Sequence, residues 1–296
     1  MADAVAIPVI SNPPSPRMVK CMSNKSVLIT GPTSGLGLSL LACLLPLNPS
    51  SIVLVSRNEA ALNALAKQIN KDQPDIKVTT IPCDFNSPSA VASLLSTLPS
   101  HNIDLLVLNS GISSRAPFTS TSPSTDDKLM RVNFLSQAAI AKSCVAFPGN
   151  RIVWISSVQG FLPLPFRSSY CASKHAVEGY TAAIRPELKA LHDIDVHTVS
   201  PGYIQTNLSR NAVGGDGEMD ENAKGGARPE EVAWEILDRV AGGEVAFDVV
   251  PGWKARAARW IQFLAPGVFR GMMEKRATQQ EEARKKAELR RRRERS

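Results

Sequence analysis

The sequence lacks the features that mark several classes of protein. A membrane-spanning helix needs about 18 consecutive apolar residues. No stretch of the sequence is that long and apolar, so no membrane-spanning helix is predicted. The five cysteines are scattered and include no CxxC pair, so we expect free thiols in a reducing compartment and no metal site. Aromatic residues make up only 5% of the chain and no zinc-ligand spacing occurs, which argues against a nucleic-acid partner.

Both ends of the sequence differ in composition from its centre. Residues 1–25 lack the apolar core of a secretory signal and are rich in Pro and Ser, so we expect a disordered lead. Residues 270–296 hold eleven of the 34 Lys and Arg residues but only five of the 27 Asp and Glu residues, so the remainder is nearly neutral. We therefore predict one domain over 26–250, followed by an amphipathic helical segment and basic tail over 251–296.

A glycine-rich turn, GPTSGLG, follows the first predicted strand, SVLIT at 26–30. An apolar helical stretch comes next. Glycines between a strand and a helix let the backbone approach a pyrophosphate, and the helix N-terminus presents free N–H groups to it. The residues expected to bind this phosphate are Thr30, Gly31, Ser34, Gly35, Leu36 and Gly37.

The end of the second predicted strand, 51–58, bears on which nucleotide is bound. An acidic residue at this point would hydrogen-bond the ribose 2′-OH of NAD. The strand ends instead in Ser56-Arg57, and an arginine can pair with a 2′-phosphate. We therefore expect NADP(H), with a solvated loop arginine as the alternative reading of Arg57.

Strand-like and helix-like segments alternate along the chain. Further strands are predicted at 77–84, 103–111, 151–157 and 195–202, and helices at 58–70, 87–97, 125–146 and 169–191. This alternation predicts an α/β fold, a doubly wound parallel sheet with helices on both faces. Ligands of such sheets bind beyond the carboxyl ends of the strands. Asp84, Asn109, Ser157 and Pro201–Gly202 fall at such ends, which predicts one shared site.

The segment SSYCASK places Tyr170 and Lys174 four residues apart on a predicted helix. Residues i and i+4 share a helix face, so we expect the ammonium to lower the pKa of the phenol below its usual value of about 10. Such a tyrosine can exchange a proton with an alcohol or carbonyl. Ser157 could hydrogen-bond the same substrate oxygen. The alternative is an ordinary exposed helix pair.

Together these motifs resemble the short-chain dehydrogenase/reductase family, whose sheet is Rossmann-type. The matching residues are Thr30, Gly31, Gly35, Leu36, Gly37, Asp84, Asn109, Ser110, Gly111, Asn133, Ser157, Tyr170, Lys174, Pro201, Gly202 and Thr206. The resemblance implies hydride transfer between nicotinamide C4 and a substrate carbon, with NADP(H) as the expected cofactor. It also implies a homo-oligomer, of a number that the sequence leaves open.

The resemblance implies a role for each catalytic residue. Tyr170 would be the acid/base, and Ser157 would hold the substrate oxygen. Lys174 would bind the nicotinamide ribose and tune Tyr170, while Asn133 would hold a water that links Lys174 to solvent. Thr206 would hydrogen-bond the nicotinamide amide, or would simply be a helix N-cap.

Two positions depart from the family pattern. Leu108 stands where an asparagine is usual, and because Asn109 is retained, we expect cofactor binding to survive. Pro186 falls inside the helix that follows Tyr170 and should kink it about four turns away from the tyrosine.

The second half of the chain leaves alternatives open. Residues 207–229 are rich in Gly and charge, which predicts disorder, a mobile lid over the substrate, or both. Residues 227–240 predict an amphipathic helix. In 253–273 basic residues interrupt large apolar ones, and Pro266 should divide the segment into two short helices. Either 253–296 makes peripheral membrane contact, or its apolar residues close the substrate pocket or a dimer face.

Stretches near 206–220 and 259–276 resemble the dehydrogenase/reductase member 7 branch of the family. That branch implies a lipophilic carbonyl or alcohol substrate, such as a steroid, retinoid or lipid ketone. Phe161, Leu162, Leu164 and Phe166 are candidate pocket residues. It also implies a cytoplasmic location with contact to the endoplasmic reticulum or another intracellular membrane. The alternatives are a lipid-pathway ketoreductase for acyl or sphingoid ketones and a non-catalytic nucleotide-sensing scaffold.

Overall fold

The computed structural model describes residues 5–10, 12–144, 149–215, 220, 224–249 and 253–295. Within them seven parallel strands form one sheet in the order β3-β2-β1-β4-β5-β6-β7. The strands are β1 (Ser26–Thr30), β2 (Ser51–Ser56), β3 (Lys77–Pro82), β4 (Leu105–Leu108), β5 (Arg151–Ile155), β6 (Asp195–Pro201) and β7 (Ala246–Val249). The predicted doubly wound parallel sheet is confirmed. The seventh strand was not predicted.

Helices connect the strands and continue past the last one. They are α1 (Pro16–Met22), α2 (Gly35–Leu44), α3 (Glu59–Asp72), α4 (Pro88–Thr97), α5 (Pro123–Met130), α6 (Ser136–Cys144), α7 (Ser168–His192), α8 (Pro229–Ala241), α9 (Trp253–Leu264) and α10 (Pro266–Arg295). A π-helical turn at Arg131–Leu135 joins α5 to α6. The helix predicted at 125–146 is therefore two helices with a wider turn between them.

The core has two layers, one on each face of the sheet. Alternate residues of β1 enter different layers, with Val27 and Ile29 on one face and Leu28 on the other. Helices α1, α2, α3 and α8 pack on the first face, and α4, α6 and α7 pack on the second. Because helices cover both faces of the sheet, the central strands are continuous runs of apolar residues.

The predicted disorder of the N-terminal lead is wrong for Pro16–Met22, which form α1. Met18 and Met22 share one face of α1 and are 1% and 2% exposed, because they pack into the first core layer. Ser15 caps the helix and donates a 2.7 Å hydrogen bond to Asp238 of α8, which also pairs with Arg17. The Ser-Pro pair that opens α1 is an N-cap signal that could have revealed the helix.

The C-terminal segment divides at Pro266, as predicted, but its second part is not short. Helix α9 ends at Leu264, and α10 then runs for 30 residues. Proline is well accommodated at the first position of a helix, and the residues beyond Gly271 are mostly strong helix formers. These two propensities explain the length of α10.

None of the helices in the described ranges is both long and apolar enough to cross a bilayer. Pro186 lies inside α7, which continues from Ser168 to His192. In the predicted lid, residues 216–219 and 221–223 lie outside the described residues. Near its two ends the segment forms isolated β-bridges, between Val213 and Ser114 and between Ala227 and Ile204. Whether this segment moves remains a prediction.

Candidate active site

A cavity of about 400 Å³ opens at the carboxyl edge of the sheet. The predicted residues that line it are Gly31, Ser34, Gly35, Leu36, Gly37, Ser56, Arg57, Asp84, Asn109, Gly111, Ser157, Tyr170, Lys174, Pro201, Gly202 and Thr206. Thr30 and Asn133 are fully buried just behind its wall. The parallel register brings these distant segments together, because all the strands end at the same edge.

The turn after β1 requires its glycines. Gly31 and Gly35 have φ angles of +69° and +53°, in the left-handed region that glycine favours. A Cβ at Gly37 would overlap the Gly31 carbonyl, and one at Gly31 would lie 2.8 Å from the Ser110 hydroxyl. The turn is therefore a cradle in which backbone, rather than side chains, faces the cavity.

The N-terminus of α2 faces this cradle. Ser34 is its N-cap, but the Ser34 side chain makes no capping hydrogen bond. The first residues of the helix, Gly35 to Gly37, line the cavity. Free N–H groups and the positive end of the helix dipole there suit a pyrophosphate. The chain around this turn therefore fits the phosphates of a dinucleotide.

Asn109 and Thr30 hold the cradle in place. The Asn109 side chain donates to the carbonyls of Thr30 and Gly31 at 3.1 and 3.2 Å. The Thr30 hydroxyl accepts the N–H groups of Asn109 and Ser110, each at 3.0 Å, and donates to Gln137. Leu108, at the position of the missing asparagine, is 1% exposed in the core. The retained asparagine is the one that touches the turn.

The nucleotide end of the cavity carries few charges. Arg57 is exposed at the end of β2, and the buried Ser56 hydroxyl lies 3.3 Å from the Thr33 hydroxyl. Among the described lining residues Asp84 is the sole carboxylate, and it accepts the N–H of Asn86 at 3.0 Å. It follows β3 rather than β2. The end of β2 therefore presents a cation where an NAD-specific site would present an acid.

Ser157, Tyr170 and Lys174 meet at the other end of the cavity. Tyr170 and Lys174, on α7, are 5% and 4% exposed. The Ser157 hydroxyl, just past β5, lines the same cavity and opposes the rise in the pKa of the phenol that burial causes. The Lys174 ammonium donates a 2.9 Å hydrogen bond to the Ile155 carbonyl and lies 5.9 Å from the centre of the tyrosine ring. The structure brings together the three groups that the sequence singled out.

Asn133 lies behind this group, in the π-helical turn. Its side chain exchanges two hydrogen bonds with the backbone of Ile112, at 2.8 and 2.9 Å, and donates a third to Ser173. A Cβ at Gly111 would lie 3.3 Å from its Oδ1 and 3.6 Å from Nζ of Lys174. Gly111 therefore leaves space between the amide oxygen and the ammonium. π-turns of this kind are frequent at functional sites.

Burial shifts the pKa values of Tyr170 and Lys174 in opposite directions. It raises the pKa of Tyr170, an effect that the Ser157 hydrogen bond and the charge of Arg167 only partly oppose. Burial also lowers the pKa of Lys174 to about 8, against the opposing charge of Glu178. The predicted fall in the tyrosine pKa is therefore wrong for the chain by itself. Removing the phenol from water outweighs the cations around it.

Sequence reasoning missed Arg167, which lines the cavity at the start of α7. Its guanidinium is 5% exposed and donates to Ser113 at 3.1 Å and to Asp220 at 2.6 Å. Asp220 belongs to the segment predicted as a lid, so a buried ion pair joins that segment to the start of α7. No local motif marks an arginine whose partners lie 53 and 54 residues away.

A second, largely apolar cavity of about 780 Å³ is lined in part by α7 and shares none of its described lining residues with the first. It is lined by Pro117, Phe118, Thr119, Pro163, Leu164, Pro165, Phe166, Ser168, Cys171, Ala172, His175 and Met273. Of the candidate pocket residues, Leu164 and Phe166 are in this lining, whereas Leu162 is buried and Phe161 lies under Arg259 of α9. Phe166 has a φ of +63°, a strained value for an aromatic residue.

Comparison with known proteins agrees with this geometry. The family model for short chain dehydrogenases matches residues 25–215. The dehydrogenase/reductase SDR family member 7B of Bos taurus is 38% identical over 276 residues, covering 88% of this chain and 84% of that protein. The SDR family protein 7-like of Anopheles gambiae is 38% identical over 274 residues, covering 88% and 86%.

Solved structures share the fold. A short-chain dehydrogenase from Sphingobium yanoikuyae in complex with NADPH superposes with a TM-score of 0.71 at 24% identity, covering 84% of this chain and 95% of that one. One from Burkholderia cenocepacia in complex with NADP gives 0.68 at 22% identity, covering 85% and 98%. With the family model and the 7B relatives in agreement, the chain belongs to the short-chain dehydrogenase/reductase family and resembles its member 7 branch.

Proposed function

We propose that this chain is an NADP(H)-dependent reductase of lipophilic ketones or aldehydes, which also oxidises the corresponding alcohols. Family membership makes it an oxidoreductase of CH–OH and C=O groups. One observation carries the proposal: Ser157 and Tyr170 stand together in the same cavity as the glycine cradle. A carbonyl held by these two groups lies in the compartment that would hold the nicotinamide.

The cofactor preference is argued from the edge of the cavity. The cradle of Gly31, Gly35 and Gly37 would hold the pyrophosphate, and Arg57 would pair with a 2′-phosphate. NADPH and NADP in the complexes of the two structural relatives support this choice. When bound, the cofactor supplies or accepts the hydride.

In the reductive direction Tyr170 acts as a general acid. Ser157 and Tyr170 hydrogen-bond the carbonyl oxygen, and the phenol gives up its proton as negative charge develops there. The raised pKa of Tyr170 keeps the phenol protonated at neutral pH, which suits this role. In the oxidative direction the phenolate must take the proton of the alcohol, so oxidation requires higher pH.

Lys174 and Asn133 restore the proton. With a pKa of about 8, Lys174 is mostly charged near neutral pH and can donate. Oδ1 of Asn133 accepts one hydrogen bond from Ile112 and has a second lone pair that can accept another. We assign to it the water that connects the ammonium to solvent.

The lipophilic substrate class is supported by the second cavity, whose lining is dominated by proline, phenylalanine and leucine side chains beside the catalytic helix. We test it by following NADPH consumption with a homologous series of methyl ketones. Each added methylene should raise kcat/KM by about threefold to fourfold until the cavity is full. A flat series, or better turnover of a polyhydroxylated ketone, would overturn the lipophilic assignment.

A further inference from the structure

The α9–α10 segment has two faces that behave differently. Phe269 is 8% exposed, Met273 lines the apolar cavity, and Arg259 stacks on Phe161 at 4.5 Å. These residues form the inner face, which packs on the body. The sequence left closure of the substrate pocket and membrane contact as alternatives for this segment. Packing of the inner face on the body explains why Phe269 is buried and Met273 lines the cavity, but does not explain the apolar residues that remain exposed.

Other residues of the segment carry large apolar side chains exposed to solvent. Trp260, Phe263, Leu264, Val268 and Met272 are 65%, 79%, 71%, 61% and 43% exposed. We call these five residues the outer stripe. Four of them follow one another at four-residue spacing across the Pro266 junction, so they lie along one side over about 18 Å of helix. A contiguous apolar surface of this kind marks an interaction site.

The charges around the outer stripe have one dominant sign. Helix α9 contains Lys254, Arg256 and Arg259 and no acidic residue. Beyond the stripe, Lys275 follows Met272 by three residues, on the same side of α10, and the chain from 270 to 296 holds eleven basic against five acidic residues. A helix with aromatic and aliphatic groups on one side and basic groups around them complements an anionic lipid surface.

We propose that the outer stripe docks this protein on the surface of an anionic bilayer. The apolar side chains enter the acyl boundary, and Lys275 and the basic residues that follow it in the sequence contact the headgroups. Docking does not depend on catalysis. If the proposed function also holds, it places the apolar cavity, whose wall includes Met273 on the inner face, beside the source of a lipophilic substrate.

Vesicle flotation of the full chain tests the proposal. The protein should bind vesicles of phosphatidylcholine mixed with phosphatidylserine, more weakly as salt is added, and much less to phosphatidylcholine alone. The variant Phe263→Ser/Leu264→Ser should lose about tenfold in affinity per side chain. A matched control is Leu191→Ser, which removes a 70% exposed leucine from α7 and should bind normally.

Tryptophan fluorescence gives a second readout. The emission should shift to the blue on vesicle binding, and Trp260→Phe should remove that shift while preserving binding. No vesicle binding, or equal binding by the serine variant, would overturn the proposal. So would a change in oligomeric mass of the serine variant without a change in vesicle binding, because a second copy would then cover the stripe. NADPH consumption on a soluble ketone should be unchanged in these variants, so a failure of docking is separable from a failure of the proposed reaction.

Discussion

The two ends of the active-site cavity differ in which groups line them, backbone and glycines at the cofactor end and side chains at the end with Tyr170. On the cofactor side, backbone and glycines face the ligand, and the glycines that form the turn lie within a few positions of one another, with Asn109 as the distant residue that holds them. On the side of Tyr170, Arg167 is held by Ser113 and Asp220, which lie far from it in sequence. A short sequence motif can therefore predict the glycine turn. The contacts of Arg167 depend on the tertiary fold, and no local motif predicts them.

The largest expected effect is on the side of Tyr170, at the buried pair of Arg167 and Asp220. Arg167→Met leaves the carboxylate without this partner and should lower the free energy of unfolding by about 3–5 kcal/mol. Urea unfolding measures the loss. Adding Asp220→Leu should recover most of it, because no buried charge then remains.

The exposed pair of Lys189 and Asp193 is the matched control. Its side chains are 55% and 70% exposed, so Lys189→Met should change the free energy of unfolding by less than about 1 kcal/mol. If Arg167→Met costs no more than this control, the lid segment is not held by the pair, and the contrast between the two sides weakens.

The next effect is on the cofactor side, at Gly37. Gly37→Ala places a methyl group against the Gly31 carbonyl and should cost about 1–3 kcal/mol of stability together with most of the NADPH affinity. Gly179→Ala, in α7, meets nothing within 4 Å and should be neutral or stabilising. Normal NADPH binding by Gly37→Ala would contradict the cradle.

A smaller effect is expected at Arg57. Arg57→Ala should raise the dissociation constant for NADPH about tenfold and leave that for NADH unchanged, because only NADPH carries the 2′-phosphate. Lys67→Ala removes an exposed positive charge from α3, away from the cavity, and is the matched control. A parallel loss for both nucleotides would show that Arg57 does not select between them.

The smallest effect is the contribution of Lys174 to the pH dependence of stability. Its pKa is lowered from 10.5 to about 8, so between these values the unfolded chain binds more protons than the folded one. Stability from this group therefore rises with pH, by about 1 kcal/mol from pH 8 to pH 9. Urea unfolding of wild type and Lys174→Met should show this difference, since the other titrating groups are common to both. A pH-independent difference would contradict the burial of the ammonium.

Local patterns were sufficient for six of the seven strands of the sheet and for the cradle. The strand ends, the glycine turn and the four-residue spacing of Tyr170 and Lys174 are short-range features, and register brings them to one edge. The burial of individual side chains could not be predicted from such local patterns. It placed Met18 and Met22 in the core, where composition had predicted disorder, and it reversed the expected direction of the Tyr170 pKa.

Arg167 was missed because it acquires its role from partners on two distant segments and stands in no motif. For Met273 the sequence left pocket closure and membrane contact open, because its placement depends on how α10 folds back onto the body. The length of α10 was underestimated for a different reason, since Pro266 was read only as a break although it also opens a helix.

The most direct test of the central claim is a comparison of Tyr170→Phe with wild type, measuring both NADPH binding and NADPH consumption on a lipophilic ketone. Tyr180→Phe, the same change elsewhere on α7, serves as the control. A Tyr170-dependent reductase predicts that Tyr170→Phe binds NADPH normally and loses turnover by at least about a hundredfold, while Tyr180→Phe keeps it. Undiminished turnover in Tyr170→Phe would contradict the assignment of the acid, and absence of NADPH consumption by the wild type with every ketone would favour the non-catalytic scaffold.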